Sequence, residues 1–372
     1  MSNFIHFGCW NNLNKGCLEN VMDLLTERLN DTGKPGIDFL TIAGDNYYPK
    51  KEKMNGKKKK IIFPKLLNQG FNYLPEDIPI YMILGNHDLE TNIGKKNFFI
   101  DNLDNPVKKD DCSIIVYEQI SKNNKNNIEY NFFKETMLEN GTLIIMVDTS
   151  MYSLDVEDYL PCYKFFLQRT LSEYTVESLR EYQLGLIIKT ITKYESGYIK
   201  NLILIGHHPI IGLKTKDGNS ARINDIIEFD KVLKEIYSRL MDNVKYFYLC
   251  ADVHLYQEGN IVIKNDETQQ MKIQQYIVGT GGTELDTCIA ESNIGDKIEN
   301  DRLTYTMTRC QERCGFLECI TTSAIPSFLF NEIPIKGGVK KIKNTKKKKT
   351  KKKKKKTKKK TKKNTKKNNN IY

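Results

Sequence analysis

Five times along this chain a short apolar run ends in glycine or alanine and passes directly into side chains able to bind protons or cations. "FIHF" leads to Gly8-Cys9-Trp10-Asn11, "DFLTIA" to Gly44-Asp45-Asn46-Tyr47-Tyr48, "IPIYMIL" to Gly85-Asn86-His87-Asp88, "NLILI" to Gly206-His207-His208-Pro209, and "KYFYLC" to Ala251-Asp252-Val253-His254. Nearly continuous apolar runs separated by helical patterns describe an α/β protein whose sheet is covered on both faces. In such folds ligands bind in the crevice past the carboxyl ends of the strands, so residues far apart in sequence converge there. In an extended chain Asp252 and His254 point to the same side, where both can serve one metal region. Of the five histidines, His87, His207, His208 and His254 fall at these strand ends, in register with Asp and Asn. That concentration predicts a metal site.

The intervening segments support this order. "LENVMDLLTERL" spaces Leu18, Val21, Met22, Leu25 and Leu29 at helical intervals. Further helices are expected near 175–195 and 226–241, and further strands in "TLIIMVDTS" and "IQQYIVGTGGTELD". "PKKEKMNGKKKK" (49–60) and the Asn/Lys-rich "EQISKNNKNNIEYNF" read as surface loops. There is no internal repeat.

Charge divides the chain unevenly. Residues 340–372 hold 20 Lys and no acidic residue, which leaves 38 basic against 46 acidic residues before them, a net charge of about −8 on a chain whose total is +12. A like-charged block with almost nothing to bury is expected to be disordered. It serves either as a solubilising extension or as a tether to nucleic acid, an anionic membrane or an acidic partner. The opening "MSNFIHFGCWNN" lacks the basic start and long apolar run of a signal peptide, and no stretch has the apolar length of a membrane span. Nine cysteines without an export signal are expected to be reduced thiols in an intracellular compartment, cytoplasmic or nuclear. The Asn-, Lys- and Ile-rich style with its Lys-rich tail resembles that of large DNA viruses, which makes association with a virion a further option. Cys310, Cys314 and Cys319 invite a zinc reading, but three thiols lack a fourth ligand and strand packing is the default.

The ordered set of motifs resembles the calcineurin-like metallophosphoesterases over roughly residues 4–320. "GDNYY", in which Asp45 precedes Tyr48 by three residues, resembles the purple acid phosphatase branch, as do "GNHD", "GHHP", "YIVGTGG" and "CGFLECIT". The resemblance implies a four-layer α/β/β/α sandwich of two mixed sheets flanked by helices. It also implies two metal ions, Fe paired with Fe, Mn or Zn. Asp45 would bridge them, with Cys9, Tyr48 and His254 completing the first site and Asn86, His207 and Asp252 the second. His87 would sit over the substrate phosphate and stabilise or protonate the leaving group, with Asn86 and His208 as further substrate contacts. Two cations so held bind phosphate oxygens and activate water for in-line displacement. The chain departs from the family pattern twice: Cys9 stands where the family has Asp, and Ala251-Asp252 where it has Gly-His. Each replacement is still a metal-binding type. Cys9 can also be read as a small buried side chain beside Trp10.

Residues 1–330 are therefore expected to form one metallophosphoesterase domain followed by the Lys-rich tail at 331–372. The leading activity is hydrolysis of phosphomonoesters in the manner of an acid phosphatase. The alternatives are a catalytically impaired member whose tail binds a polyanion or an assembly, and a phosphodiesterase or nuclease. Substrate choice is expected to reside in loops such as 49–77 and 149–175.

Overall fold

The computed structural model describes residues 2–12, 16–46, 48, 50–54, 57–61, 70–89, 127–167, 175–194, 197–216, 219–223, 226, 228–240, 243–264 and 270–334. Its strands are β1 (Phe4–Phe7), β2 (Phe39–Ala43), β3 (Lys50–Met54), β4 (Lys57–Ile61), β5 (Ile80–Ile83), β6 (Ile128–Tyr130), β7 (Phe133–Met137), β8 (Thr142–Val147), β9 (Asn201–Ile205), β10 (Gly212–Lys216), β11 (Asn219–Ile223), β12 (Lys245–Cys250), β13 (Tyr256–Lys264), β14 (Gln270–Val278), β15 (Lys297–Glu299), β16 (Leu303–Gln311), β17 (Gly315–Ile320) and β18 (Ser327–Glu332).

Two mixed sheets carry the architecture among the described residues. One has six strands in the order β18-β17-β1-β2-β5-β6, the other eight in the order β15-β16-β13-β14-β12-β9-β8-β7. The centres of both are parallel: β1-β2-β5-β6 in the first, β8-β9-β12-β14 in the second. Antiparallel β17, β18, β13 and β16 flank those centres. Every residue of β1, β2, β8 and β9 is buried, which is why their sequences are continuously apolar rather than alternating. Aromatic rings join one sheet to the other: Tyr256 of β13 stacks on Phe330 of β18 at 3.9 Å, and Phe247 of β12 meets Phe328 at 5.0 Å.

Helices cover the outer faces. The helix Leu18–Asn30 buries Leu18, Val21, Met22 and Leu25, the stripe its spacing predicts. Its Arg28 donates from Nε to Glu318 Oε2 of β17 at 2.9 Å, both side chains being almost fully buried. The helix Val176–Thr192 starts at a reciprocal cap in which Thr175 Oγ1 accepts from Ser178 N–H and Ser178 Oγ accepts from Thr175 N–H. The helix Phe229–Leu240 packs Phe229 and Tyr237 on Tyr248 and Tyr246 of β12. Among the described residues no helix is long and apolar enough to cross a membrane.

Three expectations are corrected. The 49–60 segment contains the antiparallel hairpin β3–β4, and Asn55-Gly56 between the two strands is the residue pair that tight hairpin turns favour, a signal outweighed by the lysine content. The 149–175 segment contains the helix Val156–Leu167. The cysteines are not a set of reduced thiols: Cys17 is bonded to Cys314 and Cys288 to Cys310. The first pair lies 297 residues apart in sequence and meets because β17 returns to lie beside β1. With Cys310 and Cys314 in separate bridges and Cys319 buried in β17, the three do not form a zinc site. Disulfides persist in oxidising surroundings, so the thiol argument for an intracellular location falls away. Contacts within the chain divide it into Met1–Ile333 and Pro334–Tyr372; the Lys-rich segment lies outside the described residues.

A buried ion pair is costly to half-remove, because the surviving charge keeps its desolvation penalty. Glu318→Leu alone should lower the unfolding free energy by about 3–5 kcal/mol, read by urea denaturation. Combining it with Arg28→Met should restore most of the loss. A single variant as stable as the parent would contradict the assigned burial.

Candidate metal centre

The carboxyl ends of β1, β2 and β5 in one sheet and of β9 and β12 in the other supply all the site residues. At three of these ends the chain turns by placing a non-glycine residue in the left-handed region: Cys9 (φ 52°), Asp45 (φ 52°) and Asp252 (φ 60°). Such residues cost about 1–3 kcal/mol each and persist where surrounding structure holds them. The neighbouring glycines are required by close approach. A Cβ on Gly44 would lie 2.5 Å from Gly85 N, and one on Gly85 would lie 2.4 Å from Asp45 Oδ1. β2 and β5 can bring Asp45 and His87 together only because neither glycine has a side chain.

Asp45 is the hub. Its Oδ2 accepts from the Tyr48 hydroxyl at 3.0 Å and lies 3.8 Å from Cys9 Sγ, while its Oδ1 accepts from the His87 backbone N–H at 3.1 Å. His207 Nε2 stands 3.3 Å from Oδ1, and His87 Nε2 4.0 Å from Oδ2. The Tyr48 hydroxyl is in turn 3.3 Å from His254 Nε2. Two groups of donors therefore flank one carboxylate: Cys9, Tyr48 and His254 on one side, Asn86, His207 and Asp252 on the other. His87 is half-buried, with its ring against Tyr48 at 4.9 Å.

The two histidines in these groups are oriented as ligands are. His207 Nδ1 lies 2.6 Å from the Ala43 carbonyl, and His254 Nδ1 lies 3.1 Å from the Glu284 carbonyl. A carbonyl only accepts, so each Nδ1 carries the proton and each Nε2 faces the centre. Around His207 Nε2 stand three acceptor oxygens: Asn86 Oδ1 at 3.1 Å, Asp45 Oδ1 at 3.3 Å and Asp252 Oδ1 at 3.7 Å. Acceptors gathered around a lone-pair nitrogen need a cation among them, either a proton on that nitrogen or a metal. The residues thus fit a metal on both sides of Asp45. Ligand atoms of Cys9, Asp45 and His254 lie within 4.8 Å of one another, as do those of His207, His208 and Asp252.

The electrostatics follow. Burial works to raise the Asp45 carboxyl, but His207, His87 and His254 overcome it and hold the group ionised. Burial likewise works to lower His207, and Asp45 and Asp252 reverse the sign, so its pKa is raised. Burial pushes the Cys9 thiol and the Tyr48 phenol well up, with Asp45 adding to both. Burial works to lower both His208 and His254, His208 the more strongly.

Residues outside the expected ligand set keep these groups in place. Asp88 accepts from Gly85 N–H at 2.7 Å, from Asn46 N–H at 3.0 Å and from Asn46 Nδ2 at 3.0 Å, tying the β5 turn to the β2 turn. Trp10 Nε1 donates to Asn46 Oδ1 at 3.1 Å and adds the β1 turn. Thr149, just past β8, accepts from the N–H groups of both His207 and His208 at 3.0 Å. His208 Nδ1 is 3.2 Å from the same hydroxyl and the residue is buried. Asp286 accepts from His254 N–H at 3.0 Å. Asp148-Thr149 follow the apolar run "TLIIMV" without the glycine or alanine that marked the other five ends, and Asp286 carries no such signal.

Comparison with known proteins follows the same lines. The family profile described as calcineurin-like phosphoesterase matches residues 2–256. No curated protein matches the sequence. Among solved structures, the chain is similar to purple acid phosphatase PPD1 from yellow lupin (Lupinus luteus) seeds, at 14% identity over 89% of this chain and 51% of that one, with a TM-score of 0.52. It is also similar to PhoD, at 13% identity over 86% of this chain and 63% of that one, with a TM-score of 0.47. The chain thus spans about half the length of the lupin enzyme.

Without metal, a proton on His207 satisfies the surrounding oxygens; a metal must displace it. A histidine with a raised pKa stabilises the metal-free fold in acid and loses that contribution as pH rises through its folded value. Metal-induced thermal stabilisation should therefore be larger at about pH 8 than at about pH 6. The check is the shift in melting temperature on adding Zn2+ at each pH, and equal shifts would contradict it.

Proposed function

The chain belongs to the calcineurin-like phosphoesterase family, and from that premise we propose that it hydrolyses phosphate monoesters at a two-ion centre shared across Asp45. The observation that supports this most is the gathering of Asn86 Oδ1, Asp45 Oδ1 and Asp252 Oδ1 around His207 Nε2, with Cys9, Tyr48 and His254 on the far side of the same carboxylate. Cys9, Asp45, Tyr48 and His254 would hold one ion; Asp45, Asn86, His207 and Asp252 would hold the other. Ions bound there supply charge for phosphate oxygens and lower the pKa of water.

The remaining work belongs to the chain. Asp45, held ionised and unable to rotate between its four partners, keeps the two halves in fixed relation. His87 reaches past it on the open side, where its half-exposed ring is placed to hydrogen-bond a phosphate oxygen and to give a proton to the leaving oxygen. Asn86 offers its amide N–H to the same phosphate. We assign His208, which is buried and turned to Thr149, to holding the site rather than to touching substrate. Residues 1–330 form the catalytic unit in this reading, and the 20 lysines of residues 340–372 bind a polyanion such as nucleic acid.

A second reading, a retained fold with impaired chemistry, is favoured by Cys9 and Asp252, which replace the carboxylate and imidazole of the family pattern. Metal analysis and turnover of a generic aryl phosphate separate the two. Asp45→Asn should lose turnover and bound metal together. His87→Ala should lose about 10²–10⁴-fold in turnover while keeping metal. Wild-type rates from both variants, or no turnover and no metal in the parent, would overturn the assignment. Comparing an aryl phosphomonoester with the matching diester then tests the substrate class.

The tail makes its own prediction. Deleting residues 340–372 should abolish binding to DNA or RNA that weakens steeply with salt, and should leave turnover of a small aryl phosphate unchanged. Polyanion binding that survives the deletion would place the contact elsewhere.

A further inference from the structure

We propose that Cys9 binds its ion as a thiolate and makes the Cys9–Tyr48–His254 half of the centre selective for a thiophilic metal such as Zn2+, leaving the harder ion to the Asn86–His207–Asp252 half. This rests on the two-ion reading above.

The backbone argues for it first. A buried cysteine that merely fills space sits in an ordinary conformation, as Cys250 and Cys319 do inside β12 and β17. Cys9 instead adopts the left-handed conformation that Asp45 and Asp252 share, with φ equal to that of Asp45. The strain is held from both sides: Cys9 N–H donates to Gly44 O at 3.1 Å, and Cys9 O accepts from Thr283 N–H at 3.1 Å. Left-handed backbone at a β-strand end is costly for a residue that only packs. What it achieves is to aim Sγ at Asp45 Oδ2, the oxygen that also accepts from Tyr48.

The donor chemistry argues second. A neutral thiol 3.8 Å from a carboxylate is a weak hydrogen-bond donor and does little for a buried charge. As a thiolate it becomes the one soft donor in the centre, beside an imidazole and a phenol. The other half offers the Asp252 carboxylate, an amide oxygen and one imidazole, and both halves share the Asp45 carboxylate. Thiolate sites favour zinc, whereas carboxylate and carbonyl oxygens favour harder ions such as Mn2+. Binding displaces the thiol proton to solvent, one proton for each thiolate formed, and no redox change is involved.

Cobalt reports the ligation without any assay of activity. Metal-free full-length protein titrated with Co2+ should develop a near-ultraviolet thiolate-to-cobalt charge-transfer band, saturating at one equivalent. The band should vanish in Cys9→Ser and Cys9→Asp and persist in Cys250→Ser. Competition of Zn2+ against Mn2+ should show the preference of that half for zinc falling at least about tenfold in Cys9→Asp. The parent spectrum needs no variant, so misfolding of a substitution cannot mask the answer. Cobalt that binds with visible ligand-field bands but no charge-transfer band, or a band that survives Cys9→Ser, would overturn the thiolate while leaving the two-ion reading intact. No cobalt bound at all would overturn both.

Discussion

One buried carboxylate sets the terms for the centre. Asp45 is surrounded by Tyr48 and Cys9 at one oxygen and by the His87 backbone and His207 at the other. A charge in that position cannot be left without compensation, and the surrounding histidines keep it ionised rather than protonated. The backbone serves that arrangement. Asp45 sits left-handed after β2, Gly44 and Gly85 have no side chain to obstruct it, and Asp88 ties the two turns together. Strain at the ends of well-packed strands is tolerated because β1, β2, β8 and β9 are buried throughout.

The two sheets divide the labour. The six-stranded sheet contributes Cys9, Asp45, Asn86 and His87; the eight-stranded sheet contributes His207, Asp252 and His254. Side chains from both sheets meet at one carboxylate, so the packing of Tyr256 on Phe330 and of Phe247 on Phe328 also fixes the spacing of donors far from those rings. The supporting hydrogen bonds follow the same division. Asp88, Asn46 and Trp10 orient the first set, and Thr149, Glu284 and Asp286 orient the second.

Much of this was legible in the sequence because it depends on local pattern. Buried parallel strands read as unbroken apolar runs, and each run ended at a residue that the fold brings to the site, so Cys9, Asp45, Tyr48, Asn86, His87, His207, Asp252 and His254 could be collected without knowing the strand order. The helix stripe Leu18–Leu25 was equally local. What escaped depends on distant pairing. Cys17 and Cys314 become neighbours only after β17 has joined β1, and no spacing rule anticipates that. Asp286 reaches His254 from a loop with no periodic signal. The β3–β4 hairpin was hidden for a different reason: its lysines resemble a solvated loop. His208 shows the limit of motif reading, since adjacency to His207 says nothing about which way its ring points, and Thr149 decides that.

The most direct test of the central claim, that Asp45 joins two metal sites, is anomalous diffraction from crystals of the full chain grown with Zn2+. Two anomalous peaks should flank Asp45, one among Cys9, Tyr48 and His254 and the other among Asn86, His207 and Asp252. A single peak that leaves one of these groups without metal, or peaks away from Asp45, would contradict it.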